Sequence, residues 1–312
     1  MKMPEHVSVL LREAVEYLNI RPDGLYVDAT LGGGGHSEAI LQKLSQGRLI
    51  GLDQDDYALD RARTRLGGYA NFLAVKANFA DLAPTIQSLG ISGVDGILYD
   101  LGVSSFQFDI PERGFSYQHD SPLDMRMDPE SASSAYDLVN RADERKLTDI
   151  LFRYGEEPNA RQIVRAILKA REKKPISTTF GLVEIIKGAL PARVLSLKGH
   201  PAKQTFQALR IAVNDELRVL ETSLPQAIDL LNPGGRLVVI TFHSLEDRIC
   251  KTIFQEKSTI RIPKGLAIIP TEKPVISLVN KHVILPTEGE LSANNRAHSA
   301  KMRVCEKNPV DR

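Results

Sequence analysis

This chain of 312 residues is short of several things, and each shortage closes off a class of function. It has no tryptophan, two cysteines and only 6% aromatic residues. Cys250 and Cys305 stand alone, so neither a disulfide framework nor a zinc cluster is expected, and a reducing cytoplasm is the default location. No apolar run approaches the roughly 18 residues of a membrane span, so no membrane partner is expected. The opening Met1-Lys2-Met3-Pro4-Glu5-His6 lacks the apolar core of a signal peptide. Repeats and low-complexity tracts are absent. The net charge is only +1, so no global field draws the chain onto nucleic acid.

What is present is an ordinary globular composition, 42% hydrophobic and 25% charged, enough for one large domain or a core with a smaller companion. Short apolar runs alternate with helical stretches in the first third. Strands are predicted at Leu25–Asp28, Arg48–Asp53, Phe72–Val75 and Val94–Asp100, with helices at Ser37–Leu44 and Tyr57–Leu66. That alternation predicts a doubly wound α/β fold, a parallel sheet with helices on both faces. From Phe106 to about Pro201 strand signal fades. Turn-rich segments give way to helices, such as the stripe of Ala160, Ile163, Val164, Ile167 and Leu168 with Arg161, Arg165 and Lys169 outside it. Phe206, Leu209, Val213, Leu217 and Leu220 then form another stripe, and Leu237–Ile240 reads as a buried strand. Residues 1–106 and 203–312 are therefore predicted to form the core, interrupted by a mostly helical insert over 107–202. Val275–Leu278 and Ala300–Val304 are candidates for the last strands.

The turn Asp28-Ala29-Thr30-Leu31-Gly32-Gly33-Gly34-Gly35-His36 joins the first strand to a helix. Glycines there allow close backbone approach to a ligand, and the helix start offers unpaired N–H groups. Asp53 ends the next strand, where a carboxylate accepts hydrogen bonds from ribose hydroxyls. Nicotinamide and S-adenosylmethionine binders share this pattern, and a purely structural turn is the plainer alternative. Three details favour the methyl donor. The slot of the third dinucleotide glycine holds Ser37. Asp28 precedes the glycines. Leu231-Asn232-Pro233-Gly234-Gly235-Arg236 leads straight into an apolar strand. Phe79, past the third strand, is placed either to stack on adenine or to fill the core.

The fourth strand ends Asp100-Leu101-Gly102-Val103-Ser104-Ser105, an acid and a small polar turn beside the expected cofactor crevice. An exocyclic base amine is a poor nucleophile, and an acceptor holding its N–H groups would aim the lone pair at the methyl group. A capping acid in a simple loop is the alternative. His243 follows the fifth strand, where it would reach a target base. Its rival reading is packing beside a helix capped by Ser244. Spacing gives no metal-ligand set, so no metal is expected.

Longer blocks make the reading specific. They include His6-Val7-Ser8-Val9-Leu10-Leu11, Gly34-Gly35-His36-Ser37, Arg113-Gly114-Phe115-Ser116, Pro122-Leu123-Asp124-Met125-Arg126-Met127-Asp128 and Tyr154-Gly155-Glu156-Glu157. Further on come His200-Pro201-Ala202, Thr205 to Asn214, Phe242 to Arg248 and Ser299 to Val304. Over essentially its whole length the chain resembles the RsmH (MraW) family, class I methyltransferases that methylate the exocyclic N4 of a cytidine in bacterial 16S ribosomal RNA. The resemblance implies that Gly34, Gly35, His36, Asp53, Phe79, Asp100 and Gln107 contact S-adenosylmethionine, and that the insert helps present the RNA. Asp100 is the catalytic candidate. The expected partner is small-subunit ribosomal RNA, free or in the assembled subunit, with monomer and homodimer both open.

Charge is unevenly spread, with ten Lys or Arg against six Asp or Glu over 141–174. Arg193, Lys198, Lys203 and Arg210 have no acid among them over 191–210. Such clusters are either solvated faces or, on the family reading, phosphate contacts. One departure stands out. Asn294-Asn295-Arg296-Ala297-His298-Ser299 lies where the family tends to have Asn-Pro-Arg and a second Arg before the Ser.

Overall fold

The computed structural model describes residues 8–104, 107–108, 110–260 and 273–309. His6 and Val7 of the opening block, Ser105, and Phe106 at the predicted domain edge lie outside the described residues. Contacts divide the chain into two compact units, one of residues 1–102 and 217–312 and one of residues 103–216.

Among the described residues the first unit is built on seven strands: β1 (Leu25–Asp28), β2 (Arg48–Asp53), β3 (Phe72–Lys76), β4 (Val94–Asp100), β5 (Leu231–Thr241), β6 (Ile276–Leu278) and β7 (Lys301–Lys307). Their spatial order is β3-β2-β1-β4-β5-β7-β6. Neighbours from β3 through β5 pair in parallel, while β7 runs antiparallel to both β5 and β6. This is the class I, Rossmann-like arrangement expected from the sequence.

Side chains alternate across a strand, so a doubly covered sheet is apolar at successive positions. Tyr26, Leu98, Val238 and Ile240 face one way, into a core shared with α1 (Leu11–Tyr17), α2 (Gly35–Leu41) and α3 (Asp56–Leu66). Val27, Ile97, Tyr99, Leu237 and Val239 face the other, packing on α4 (Leu82–Ser88) and the helices Glu216–Leu230 and Ser244–Lys257. The Pro-Gly-Gly segment lies within β5 as an irregularity. Val94 pairs with Leu231 but Gly96 pairs with Arg236, so residues 232–235 bulge out, with Gly234 at φ +78°.

The parallel strands end on one edge, at Asp28, Asp53, Lys76 and Asp100. β1 lies where the order reverses, since the chain builds outward to β3 and then returns to β4 on its other side. The crevice beyond the carboxyl ends at such a reversal is where open α/β sheets bind ligands.

The second unit is helical among the described residues, with helices at Ala135–Arg141, Glu144–Gly155, Ala160–Arg171, Thr179–Ala189, Ala192–Leu195 and Lys203–Asn214. Its core gathers Leu147, Leu151, Ile163, Val164, Ile167, Leu182, Ile186, Phe206 and Leu209. The sequence reading ended the insert at 202 and gave Lys203–Asn214 to the sheet domain, whereas that helix lies in the second unit. The stripe from Phe206 to Leu220 is broken at Asp215, whose left-handed backbone (φ +51°) caps one helix before Glu216–Leu230 begins. Phe206 and Leu209 therefore fill one core and Leu220 the other.

Asn214 fastens that helix to a strained loop. Met125 is buried at φ +63°, a conformation side chains avoid. Asn214 Nδ2 donates to Met125 O and to Arg210 O, at 2.8 and 2.9 Å, and its Oδ1 accepts from Met127 N at 2.8 Å. Arg113 Nη2 donates to the carbonyls of Arg126 and Met127. Three of the sequence blocks thus meet in one hydrogen-bonded knot. Replacing Asn214 by Ala orphans part-buried backbone groups, and should lower stability by about 1–3 kcal/mol in chemical denaturation.

Candidate active site

Asp28 closes β1 and is 1% exposed. Its Oδ1 accepts from Thr30 N at 3.1 Å and its Oδ2 from Ser37 Oγ at 2.7 Å. Burial outweighs these bonds and raises its pKa from 3.8 to about 6. The Ser37 slot thus has its own reason: a third glycine would leave Asp28 Oδ2 without this partner. Asp53 closes β2, accepting from Gly32 N on Oδ2 and Asp55 N on Oδ1, each at 2.9 Å. Burial raises its pKa to about 6 as well. The acid at the end of β2 therefore grips the start of the glycine turn.

Gly32 and Gly34 both have positive φ, +48° and +76°. A Cβ on Gly34 would also press on Leu66 at 3.0 Å, and one on Gly35 would sit 2.2 Å from Ser8 Oγ. The turn is thus closed to side chains, as a backbone cradle for a ligand must be. His36 lies in the first turn of the following helix and is 4% exposed. Its Nε2 lies 3.1 Å from Val9 O, and its Nδ1 lies 3.5 Å from Asp100 Oδ2.

Asp100 closes β4. Its backbone N–H donates to Thr30 Oγ1 at 2.6 Å, fastening the β4 end to the glycine turn. Its Oδ1 is buried without a hydrogen-bond partner among the described residues, although the side chain as a whole keeps 27% of its exposure. Burial first, then the charges of Asp28 and Glu246, push this carboxyl well above the usual range. Phe79 follows β3 half-buried, its ring edge-on to Tyr99 at 5.5 Å. Asn78, just before it, donates from Nδ2 to Gln54 Oε1 at 2.8 Å, linking the ends of β2 and β3. Neither Asn78 nor Gln54 was singled out in the sequence, because single amides between strand ends and helices look like ordinary loop residues.

The strand ends thus bring together Gly34, Gly35, His36, Asp53, Phe79 and Asp100 at one edge of the sheet. A positive-φ glycine turn, an acid at the end of β2 and an orphaned carboxyl oxygen on β4 fit a cationic nucleoside ligand such as S-adenosylmethionine. Gln107 belongs to the second unit, where it is buried and its Oε1 accepts from Ser104 N at 3.0 Å.

His243 caps a helix itself, in place of Ser244. Its Nδ1 accepts from Glu246 N, while Glu246 Oε2 accepts from Phe242 N at 2.7 Å and His243 N at 3.2 Å. Histidine seldom takes this place, so the sequence offered no signal for it. Near the C-terminus, His298 is exposed in a short turn, and Arg303 is bound twice by Asp247, at 2.7 and 3.2 Å.

In the second unit Arg161, Arg165, Lys169, Lys198 and Lys203 are exposed. Arg165 lies 3.8 Å from Glu144. Arg210 is engaged by Glu216 through two 2.8 Å bonds. His200 stacks on Tyr117 at 4.3 Å. None of the described helices is long and apolar enough to cross a membrane.

Comparison with known proteins gives a match to the model of the MraW methylase family over residues 3–308. Among solved structures, a putative rRNA methylase from Clostridium thermocellum aligns at 12% identity with a TM-score of 0.45, covering 97% of this chain and 100% of that one. A SAM-dependent O-methyltransferase from Thermotoga maritima aligns at 9% identity and TM-score 0.44, covering 100% and 71%. A putative methyltransferase from Streptococcus mutans, in complex with SAH, aligns at 10% and 0.42, covering 97% and 99%. At these TM-scores the likenesses decide nothing about activity, and family membership rests on the sequence match.

The raised carboxyls carry a sign. A group whose folded pKa exceeds its unfolded value binds more protons when folded, so the share of stability from Asp28 and Asp53 falls as pH rises from about 4 to about 6 and is level above that. For Asp28, from 3.8 to about 6, the cost is about 3 kcal/mol. Denaturation across that range should show the fall, and Asp28→Asn should flatten its share of it.

Proposed function

The chain belongs to the MraW methylase family, and from that premise we propose that it transfers a methyl group from S-adenosylmethionine to the exocyclic N4 of a cytidine in 16S ribosomal RNA. The observation that carries the reading is the ordered run of sequence blocks along nearly the whole chain, coextensive with the family match at residues 3–308. When bound, the donor supplies an electrophilic methyl group on a sulfonium.

The chain's residues have separable parts in this. The glycine turn at Gly34 and Gly35 admits the donor's backbone-side contacts, and Asp53 accepts from its ribose hydroxyls while holding Gly32. Phe79 offers a ring for the adenine. Gln107 is carried over from the family resemblance as a further donor contact. Asp100 accepts an N–H of the acceptor amine, aiming its lone pair at the methyl carbon. Orientation supplies most of the rate, because an amine conjugated with the ring needs alignment more than it needs a strong base. The second unit presents the RNA, with Arg161, Arg165 and Lys169 on one exposed helix face meeting phosphates.

Two measurements test this. Labelled S-adenosylmethionine should methylate isolated small ribosomal subunits or naked ribosomal RNA from cells lacking the protein, and nucleoside analysis should return N4-methylcytidine. Label on another base or atom, or none from protein that binds the donor, would overturn the acceptor assignment. Replacing Arg161, Arg165 and Lys169 together by Ala should weaken RNA binding and flatten its salt dependence by a log–log slope of about 2–3, with donor affinity unchanged.

A further inference from the structure

The helix Glu144–Gly155 of the second unit buries Leu147, Ile150 and Leu151, and its opposite face should be polar. That face instead carries Phe152, 66% exposed. Arg145, Asp149 and Phe152 follow at intervals of four and three residues, so they share one stripe turned away from the core, with Lys146 and Arg153 in the next row. Asp143, Arg145, Lys146, Asp149 and Arg153 line a surface groove of about 260 Å³. A water molecule in the liquid takes about 30 Å³, so the groove has room for a phosphate group and several waters.

The two acids of the groove are already engaged. Asp143 Oδ1 accepts from Lys146 N at 2.7 Å, and Asp149 pairs with Arg153 at 2.7 Å. The exposed side chains of Arg145 and Lys146 have no ion pair among the described residues. Basic charge continues on the next helix, Ala160–Arg171, whose Arg165 lies 3.8 Å from Glu144. Phe152 is the lone apolar side chain on its helix face. A protein laid over it would strip water from Arg145, Lys146, Asp149 and Arg153, a desolvation that one phenyl ring does not offset. An unpaired RNA strand offers phosphates to the cations and an open base face to the ring. From Arg145 to Phe152 is about 10 Å along the helix axis, about three nucleotides at stacked spacing.

We infer that this face of Glu144–Gly155 holds single-stranded RNA, with one unpaired base stacked on Phe152 and neighbouring phosphates at Arg145 and Lys146. The inference rests on the function proposed above and deepens it. The RNA that carries the target cytidine crosses this helix as an unpaired strand, and the chain selects it from duplex by the base face that a duplex keeps covered. The ring imposes no base preference, because every base has such a face. It also adds a contact that salt does not screen to the phosphate contacts on Ala160–Arg171.

Fluorescence anisotropy of the full chain with a short labelled oligoribonucleotide, alone and annealed to its complement, tests this. The single strand should bind more tightly than the duplex. Phe152→Ala and Phe152→Leu should each weaken single-strand binding by about 5- to 100-fold, and Phe152→Trp should retain it. Arg145→Ala combined with Lys146→Ala should flatten the log–log salt dependence by about 1.4, the share of two phosphates on a single strand. Unchanged denaturation midpoints show that these surface variants fold. The inference is overturned by wild-type binding in Phe152→Ala, by a duplex bound as tightly as the strand, or by wild-type binding in Phe152→Leu, which marks an apolar contact of the kind a protein makes. N4-methylcytidine formed in ribosomal RNA alongside any of these sinks this inference alone. Methylation at another atom, with strand binding lost in Phe152→Ala, sinks the acceptor assignment and leaves the stacking face standing.

Discussion

A carboxylate removed from water at the end of β1 sets the terms for the whole sheet edge. Asp28 is nearly without exposure, and a buried acid is tolerable only when its oxygens are engaged. Thr30 and Ser37 engage them, so the turn after β1 and the helix after the turn are both fastened to one side chain. Thr30 then reaches across to the backbone of Asp100, and Asp53 holds Gly32 from the other side. The glycine turn is consequently held at both flanks by strands that lie beside β1. Its conformation belongs to the sheet, which is what a preorganised ligand cradle requires.

Much of this was legible in the residues. β1, β2 and β4 were bounded as observed because a strand covered on both faces reads as an unbroken apolar run closed by an acid. The glycine turn announced itself by composition. What hydropathy does not record is a single backbone torsion. Asp215 breaks a stripe that looks continuous, so the sequence placed Phe206 and Leu220 on one helix where the fold has two. The Pro-Gly-Gly segment likewise reads as a turn before a strand, while pairing continues on both sides of it. Side-chain-to-backbone bonds were equally silent: Asn214, Thr30 and His243 act through partners far away in sequence or through a cap that histidine rarely forms.

At the site, the chain's acids were legible as candidates but their charge states were not. Asp28, Asp53 and Asp100 are each one carboxylate in a strand-end pattern. Only the fold sets Asp100 beside Glu246 and leaves one of its oxygens with no hydrogen-bond partner among the described residues. A charge state of this kind comes from crowding, which depends on the whole sheet order and on no local motif.

The position of β7 has a consequence for how the chain comes into being. The strand that lies between β5 and β6 is the last of the seven to be synthesised. Until it emerges, β5 has one row of unpaired backbone groups along a strongly apolar strand, an invitation to association with other chains. The helical unit, whose segment lies wholly between β4 and β5 in the chain, is complete well before that. Biogenesis is therefore divided in time. The helical segment is thus available to fold before β7, the partner that β5 and β6 share, has been made.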